Sequence, residues 1–315
     1  MNNAPTKTDI ELAHERIKNH IHRTLILTST SINKILQSNL YFKCENFQRA
    51  GAFKMRGATN AILSLPDEKL NKGVATHSSG NHAGALALAA KLLNTKCYIA
   101  MPNTAPGIKR KAVESYGGII TFCKPTLTDR EKTLEEIVRK TGAAFIHPYD
   151  DYRIITGQAT CAKEILEELN DLDYIFAPLG GGGLLSGTSL SAKYFSNSVK
   201  VIGVEPKGAD DAYQSIRDGK IYPSINPQTI ADGLLTSLSK KTFDIIRENV
   251  DNILTVKEET ILEAMYLIWE RMKIVVEPSS ATVLAAVMEN KEQFTGKSIA
   301  LILSGGNIDL KKFQR

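Results

Sequence analysis

The fold of this chain is decided by the stretch Tyr174-Ile175-Phe176-Ala177-Pro178-Leu179-Gly180-Gly181-Gly182-Gly183-Leu184-Leu185. An apolar run that predicts a buried strand leads into four consecutive glycines, and the residues that follow have the apolar spacing of a helix. Because glycine has no Cβ, backbone N–H groups can converge in such a turn, and the helix start adds unpaired donors and a positive dipole end. The stretch therefore predicts a phosphate-binding turn, and a tight turn without a ligand is the alternative.

Two familiar phosphate-binding motifs fit the glycine run poorly. A Walker loop requires Gly-Lys-Ser/Thr, and Gly187 is followed by Thr188 with no lysine. The dinucleotide fingerprint requires glycines at its first, third and sixth positions, but the sixth residue from Gly180 is Leu185. Glu205 nevertheless ends a predicted strand where a ribose-binding acid is expected. A dinucleotide-dependent oxidoreductase and a non-catalytic nucleotide-binding module are therefore the rival hypotheses.

The composition is that of an ordinary globular protein. The 315 residues are 43% hydrophobic and 23% charged, enough for one large core or two domains. The net charge is only +5, and the basic cluster Lys109-Arg110-Lys111 is short and lacks interleaved aromatics, so nucleic-acid binding is not expected. The four cysteines are widely spaced, and the chain has neither an apolar signal region nor a run that could span a bilayer. We expect a cytoplasmic protein with free thiols and no membrane partner.

Strand-like and helix-like segments alternate along most of the chain, which predicts parallel sheets with helices on both faces. Strands are predicted at residues 40–43, 73–76, 96–101, 119–123, 143–146, 174–179, 200–204 and 298–303. Helices are predicted at residues 11–19, 57–65, 83–93, 108–116, 130–140, 157–169, 184–190, 212–217, 258–271 and 280–288. Residues 73–150 contain several alternations of their own. We therefore expect a small domain of residues 73–150 inserted into a large domain of residues 1–72 and 151–315.

Three further segments carry residues suited to chemistry. In Gly51-Ala52-Phe53-Lys54-Met55-Arg56-Gly57, burial of Lys54 between apolar neighbours would lower the pKa of its amine and let it form an imine with an aldehyde; a surface lysine is the alternative. Ser78-Ser79-Gly80-Asn81-His82 opens an alanine-rich helix, which suits either a bound carboxylate or simple N-capping. Ser304-Gly305-Gly306-Asn307 follows the last strand. Together with the glycine turn, these segments indicate a pyridoxal phosphate site.

With these segments in view, the chain resembles the fold-type II pyridoxal-phosphate enzymes, specifically the serine racemase and serine/threonine dehydratase group. The matching segments are Glu45-Asn46-Phe47-Gln48, residues 51–57, 78–82 and 178–184, Gly203-Val204-Glu205-Pro206, Ile230-Ala231-Asp232-Gly233, Glu277-Pro278-Ser279 and residues 303–310. The resemblance implies a tryptophan synthase β-like fold, in which two open parallel-sheet domains enclose an active site in the cleft between them. It also implies a homodimer.

The resemblance implies a role for each cofactor-binding residue. Lys54 would carry the imine to the cofactor, Phe53 would lie behind its ring, and Asn81 would bond its 3′-oxygen. Ser304 would face the pyridine nitrogen, where a neutral hydroxyl suits loss of a β-hydroxyl better than transamination. The phosphate would be held by Gly180, Gly181, Gly182, Gly183 and Leu184.

The resemblance also implies catalytic and substrate-binding residues. Lys54 would take the α-proton on its face, and Ser79, where threonine-type dehydratases usually carry alanine, would act on the opposite face in racemization. The substrate carboxylate would rest on the turn containing Ser78, Ser79, Asn81 and His82. Asp232 and Arg130 match substrate-side positions more loosely. Arg130 either recognises a second carboxylate, which would favour 3-hydroxyaspartate, or belongs to a charged helix face.

A divalent-cation site is implied by Glu205, Ala209 and Asp211, which supply two carboxylates and a backbone carbonyl suited to Mg²⁺ or Ca²⁺. The alternative is that Asp210 and Asp211 only start a helix.

The expected enzyme is a pyridoxal-phosphate-dependent ammonia-lyase of the serine/threonine dehydratase type. It would convert small β-hydroxy amino acids such as L-serine and L-threonine into a 2-oxo acid and ammonia, with serine racemase activity. Threo-3-hydroxyaspartate is the leading alternative substrate. Gly84, where the family usually has glutamine, and Ser280-Ala281-Thr282 after Glu-Pro leave the substrate preference open.

Overall fold

Two β-sheets organise residues 4–313, the part of the chain that the computed structural model describes. The strands are β1 (Ile26–Thr28), β2 (Asn39–Cys44), β3 (Val74–His77), β4 (Cys97–Pro102), β5 (Ile119–Cys123), β6 (Ala144–Phe145), β7 (Tyr174–Pro178), β8 (Lys200–Pro206), β9 (Asn252–Val256) and β10 (Ser298–Leu303). The large sheet has the order β1-β2-β10-β7-β8-β9, and the small sheet has the order β5-β4-β3-β6.

Helices cover both sheets. They are α1 (Lys7–Ile17), α2 (Thr30–Leu36), α3 (Lys54–Leu63), α4 (Asp67–Leu70), α5 (Asn81–Leu92), α6 (Gly107–Ser115), α7 (Leu127–Thr141), α8 (Tyr152–Glu168), α9 (Gly183–Phe195), α10 (Asp211–Asp218), α11 (Lys240–Asn249), α12 (Glu258–Met272), α13 (Pro278–Glu289) and α14 (Lys291–Phe294). Short 3₁₀ turns lie at Glu45–Phe47, Arg49–Gly51, Lys207–Ala209 and Leu310–Phe313. No helix within residues 4–313 is both long and apolar enough to cross a membrane.

The predicted α/β architecture is confirmed, with one difference in the large sheet. All strand pairs are parallel except β1 with β2, which is antiparallel. The sequence analysis missed β1 and β9, which are the two edge strands of the large sheet, together with α2, α4, α11 and α14. Both strands are partly exposed, so their sequences lack the continuous apolar run of a central strand.

The centre of the large sheet is buried on both faces. On β7 and β10, Phe176 and Leu301 pack with α13 on one face, while Ile175 and Ile302 pack with the start of α9 on the other. Because β10 and β7 are parallel neighbours, the segments that follow them leave the sheet at the same edge. Ser304 and the glycine turn are therefore placed at one rim of the sheet.

The small sheet is built entirely from strands between Val74 and Phe145. It shares an apolar cluster with α3, in which Met55 and Ile62 of the helix pack with Leu86 of α5. Thus α3 precedes the small sheet in the chain but contacts the helix that covers it. The domain boundaries at residues 72/73 and 150/151 stay a prediction.

A buried ionic network holds the start of α3. The guanidinium of Arg56 donates to Glu45 at 2.8 Å and to Glu164 at 2.7 and 2.8 Å, and Lys43 donates to Glu164 at 2.7 Å. All four side chains are essentially inaccessible to solvent. Although burial opposes it, the two cations lower the pKa of Glu164 to about 2. Lys43 lies on β2 and Glu164 lies on α8. The network therefore attaches the first turn of α3, which carries Lys54, to both elements.

Candidate active site

Lys54 is placed at the large-sheet rim by backbone pairing. The Phe53 N–H donates to the carbonyl of Ser304 at 2.9 Å, and the Gly306 N–H donates to the carbonyl of Gly51 at 2.9 Å. The chain before Lys54 is therefore joined to the segment that follows β10. Two segments that lie about 250 residues apart in the chain meet here, as the parallel arrangement predicts.

The amine of Lys54 lies in a poorly solvated environment. Its Nζ donates to the carbonyl of Pro148 at 3.0 Å and lies 5.1 Å from the centroid of the Phe53 ring. Burial lowers the pKa of Lys54 to about 8. An amine with this pKa is partly neutral at mildly alkaline pH, which suits a nucleophile, and the catalytic role of the half-buried Lys54 stays a prediction.

The glycine turn has no room for side chains. Gly182 has a φ of +85°, which favours glycine, and a Cβ at Gly181 would lie 2.4 Å from the ring of Tyr149. A Cβ at Gly180 would lie 2.9 Å from the Cα of Leu234. The turn leads directly into α9, whose N-terminus has no side-chain cap. Uncapped N–H donors at a helix start surrounded by close packing fit a phosphate group, so the residues present suit the pyridoxal phosphate that the resemblance implies.

Tyr149 was missed by the sequence analysis, although it lines the glycine turn. Its neighbours are tied to the site: Pro148 accepts the Lys54 hydrogen bond, and the His147 Nδ1 accepts the backbone N–H of Asp150 at 2.8 Å. The ring of His147 packs edge-on against Tyr149 at 4.7 Å. The sequence did contain a signal, because His147-Pro148-Tyr149 comes directly after a predicted strand. The serine turn of residues 78–82 was recognised by the same position, after the end of a strand.

The serine turn joins β3 to α5 as predicted. Ser78 Oγ accepts the Gly80 N–H at 3.3 Å, and α5 begins without a side-chain cap, so its first N–H groups are free to bind an anion. Simple N-capping, the alternative, is therefore wrong for this helix. Ser79 is partly exposed in the turn. His82 is buried, its Nε2 lies 3.3 Å from the carbonyl of Ile146, and burial keeps its pKa well below the usual value.

Asn81 is held at both ends of its amide. Its Nδ2 donates to Glu277 Oε1 at 2.8 Å, and its Oδ1 accepts from Asn307 Nδ2 at 3.0 Å. Glu277 is buried, its Oε2 has no hydrogen-bond partner, and burial raises its pKa to about 7. Glu277 and Asn307 lie in segments that the resemblance matched, but nothing in their sequence showed that they orient Asn81.

Ser304 is buried and paired with a second serine. Its Oγ lies 3.1 Å from the Oγ of Ser280, whose hydroxyl donates to the carbonyl of Gly305 at 2.7 Å. Because a hydroxyl has one proton, Ser304 is the donor between the two serines. That proton must turn away from Ser280 to reach a ring nitrogen, and the pairing of Ser304 with the pyridine stays a prediction.

Two other predicted substrate residues, Asp232 and Arg130, lie in different parts of the structure. Asp232, which precedes the segment packed on Gly180, forms an ion pair with Lys109 of α6. Arg130, in the first turn of α7, has a buried Nε without a hydrogen-bond partner, and its charge contributes to lowering the pKa of His77 to about 4, behind the larger effects of burial and His147. Their contact with a substrate stays a prediction.

Glu205 caps α10. Its carboxylate accepts the N–H groups of Ala212 at 3.3 Å and Tyr213 at 2.7 Å, so it does not face a ribose site as a dinucleotide enzyme requires. Asp211 is buried with an unpartnered Oδ2. Burial, together with the nearby Asp211, raises the pKa of Glu205. Two adjacent buried carboxyls, one with an orphan oxygen, suit a cation.

The set of candidate cation ligands is nevertheless small. Within residues 4–313, no group of three or more His, Cys, Asp or Glu side chains is placed to hold a metal ion. The predicted set adds the backbone carbonyl of Ala209, which ends the turn Lys207–Ala209. Asp210, the N-cap residue of α10, makes no capping hydrogen bond. Asp210 and Asp211 nevertheless stand at the start of α10, so the alternative that they only start a helix stays open, and the cation site stays a prediction.

Comparison with known proteins shows the family. The family model described as "Pyridoxal-phosphate dependent enzyme" matches residues 17–305. The chain is 49% identical to a β-hydroxyaspartate dehydratase of Paracoccus denitrificans over 98% of both chains, and 48% identical to a serine racemase of Dictyostelium discoideum over 98% of this chain and 97% of that one. The structure of maize serine racemase superimposes with a TM-score of 0.96 at 43% identity, over 98% of this chain and 96% of the other. The chain therefore belongs to the family of pyridoxal-phosphate dependent enzymes.

Proposed function

We propose that this enzyme eliminates the β-hydroxyl group of small β-hydroxy amino acids, releasing a 2-oxo acid and ammonia, and that it also racemizes serine. The observation that carries the proposal is the amine of Lys54, with its pKa lowered to about 8, held beside Ser304 at the rim of the large sheet. The relatives named for β-hydroxyaspartate dehydration and for serine racemization support this reaction class. L-serine, L-threonine and L-threo-3-hydroxyaspartate are the substrates to consider.

Four parts of the chain would hold pyridoxal phosphate. The N–H groups of the glycine turn and Leu184 would bind the phosphate, Asn81 would bond the 3′-oxygen, and the Ser304 hydroxyl would pair with the pyridine nitrogen. Phe53 and Lys54 would complete the site at the aldehyde. When bound, the cofactor withdraws electrons from the amino acid and so acidifies its α-proton.

The protein residues bind the substrate and move its protons. The uncapped start of α5, with Ser78 and Ser79, binds the α-carboxylate, while His82 supports this turn through its buried imidazole. Lys54 accepts the α-proton on its side, because its desolvated amine is partly neutral. Ser79 delivers a proton to the opposite face, which produces racemization.

A divalent cation completes the proposal away from the cleft. Glu205, Asp211 and the carbonyl of Ala209 hold Mg²⁺ or Ca²⁺, whose charge compensates the two buried carboxyls at the start of α10. The enzyme is further proposed to be a cytoplasmic homodimer. Its four cysteines are free thiols, three of them buried, which agrees with a reducing compartment.

The proposed reaction is tested with the purified holoenzyme. We expect a visible absorption band that borohydride bleaches, with the reduced adduct located on Lys54 by mass spectrometry. Lys54→Ala removes both the band and the release of 2-oxo acid from serine, threonine and 3-hydroxyaspartate. Lys34→Ala, an exposed lysine on α2, changes neither. A wild-type protein without the band that binds NAD tightly would refute the proposal in favour of an oxidoreductase.

A further inference from the structure

An ion pair joins α6 to the segment that packs against the glycine turn, beside the proposed substrate site. The Nζ of Lys109, on α6 next to the small sheet, lies 2.5 Å from Oδ2 of Asp232. Asp232 belongs to the segment packed against the glycine turn, since Leu234 Cα lies 2.9 Å from where a Cβ of Gly180 would be. The pair therefore joins a helix next to the small sheet to the segment beside the predicted phosphate-binding turn.

The two partners differ strongly in their exposure. The side chain of Lys109 is only 9% exposed, whereas that of Asp232 is 45% exposed. A buried ammonium without a counter-charge is strongly unfavourable, but a half-exposed carboxylate is readily solvated when its partner leaves. The buried Glu277 lies near enough to feel the charge of Lys109 but forms no ion pair with it, so Asp232 is the carboxylate that neutralises Lys109 directly. Asp232 can be exchanged for another carboxylate at little cost.

Lys109 also lies next to the turn that is proposed to bind the α-carboxylate. Its Nζ is 4.0 Å from the position that a Cβ of Gly80 would occupy, one residue before α5. In a four-carbon dicarboxylate, three bonds separate the two carboxyl carbons, which places them roughly 4 Å apart when the chain is extended. A second carboxylate of that molecule falls within the range of this ammonium.

We propose that Lys109 binds the second carboxylate of a dicarboxylic β-hydroxy amino acid, which replaces Asp232, so that the site prefers 3-hydroxyaspartate to serine and threonine. The inference rests on the proposed function, because it names the substrate class of the same site. With serine or threonine bound, Asp232 keeps its place on Lys109. Asp232 thus acts as an internal substitute for the β-carboxylate.

The kinetic test compares single variants of the holoenzyme on two substrates. In Lys109→Gln, kcat/KM for L-threo-3-hydroxyaspartate falls about tenfold or more, the size expected when one partner of a buried charge pair is removed, while kcat/KM for L-serine changes little. Lys109→Arg keeps the charge and restores much of the loss. Lys111→Gln, an exposed lysine two residues along α6, has no effect on either substrate. Arg130→Gln lowers both substrates alike.

A binding measurement separates this inference from the proposed reaction. By calorimetry, the holoenzyme binds succinate more tightly than butyrate, and Lys109→Gln removes the difference. Equal losses on both substrates in Lys109→Gln, or a selective loss of 3-hydroxyaspartate turnover in Arg130→Gln instead, would overturn the inference. An enzyme that distinguishes succinate from butyrate through Lys109 but releases no 2-oxo acid would refute the proposed function alone.

Discussion

Replacing Glu277 with glutamine removes a pH-dependent loss in the free energy of unfolding. Glu277 is buried beneath Asn81, and burial, opposed mainly by the charge of Lys109, raises its pKa from 4.5 to about 7. Glutamine keeps the oxygen that accepts from Asn81 and cannot ionise. The variant therefore isolates the titration of one carboxyl group from the remaining titratable groups.

The sign of the effect follows from proton binding. Below pH 4.5 the carboxyl is protonated in the folded and unfolded states, so it contributes nothing to pH dependence. As the pH rises toward about 7, the unfolded chain loses the proton and the folded protein keeps it, so stability falls. Above about pH 7 both states are ionised and the loss is complete. A shift of this size corresponds to roughly 3 kcal/mol in the free energy of unfolding.

The assay is urea unfolding of wild type and Glu277→Gln at matched cofactor occupancy, from about pH 5 to about pH 8. The single tryptophan, Trp269, reports nearby, since its Nε1 donates to the carbonyl of Val276 at 3.0 Å. We expect the stability of Glu277→Gln relative to wild type to increase by roughly 2 to 3 kcal/mol over this range. Glu263→Gln, exposed on α12, follows wild type. Parallel curves for Glu277→Gln and wild type would show that the carboxyl is already ionised throughout.

Three further predictions concern Ser79, which is proposed to act on the substrate face opposite Lys54, the buried ionic network around Arg56, and the cation site. Ser79→Ala is expected to abolish D-serine formation while largely sparing 2-oxo acid release, as measured by chiral chromatography and a coupled assay; equal loss of both products would contradict this role. Arg56→Met leaves Glu45 and Glu164 short of one positive charge and lowers the free energy of unfolding by about 3–5 kcal/mol in urea. Arg110→Met, from an exposed pair with Glu114, costs about 1 kcal/mol or less, and similar costs for both would mean that the buried network is not held by its charges. Saturating Mg²⁺ raises the Tm of wild type but not of Asp211→Asn, whereas a Tm that does not respond in either protein would remove the cation from the proposal.

Motifs that consist of contiguous residues could be predicted from the sequence. The glycine turn, the segment around Lys54, the turn of residues 78–82 and the segment that begins at Ser304 lie where the predicted strands and helices place them. Backbone conformation and helix starts depend on local residue type, so such segments can be predicted. The family and the reaction class were predicted on these segments, and the comparisons confirm both. The roles of the individual site residues stay predictions.

Residues that act through partners far away in the chain could not be predicted in the same way. Glu277 and Asn307 orient Asn81 across separations of 196 and 226 residues. Lys109 looked like part of a short basic cluster, yet its ammonium is buried against Asp232 rather than solvated with its neighbours. No periodicity or spacing in the chain encodes such pairs, because they depend on how the two sheets pack.

The sequence by itself determined the chemistry available: a lysine between apolar neighbours, a glycine turn that can hold a phosphate, and serines at strand ends. Only the tertiary structure decided how that chemistry is tuned. Desolvation of Lys54 and Glu277 is set by neighbours from other elements, and so is the ion pair of Lys109 with Asp232. Burial and charge pairing are properties of the packed chain, whereas turn conformation and helix starts are properties of its local residues.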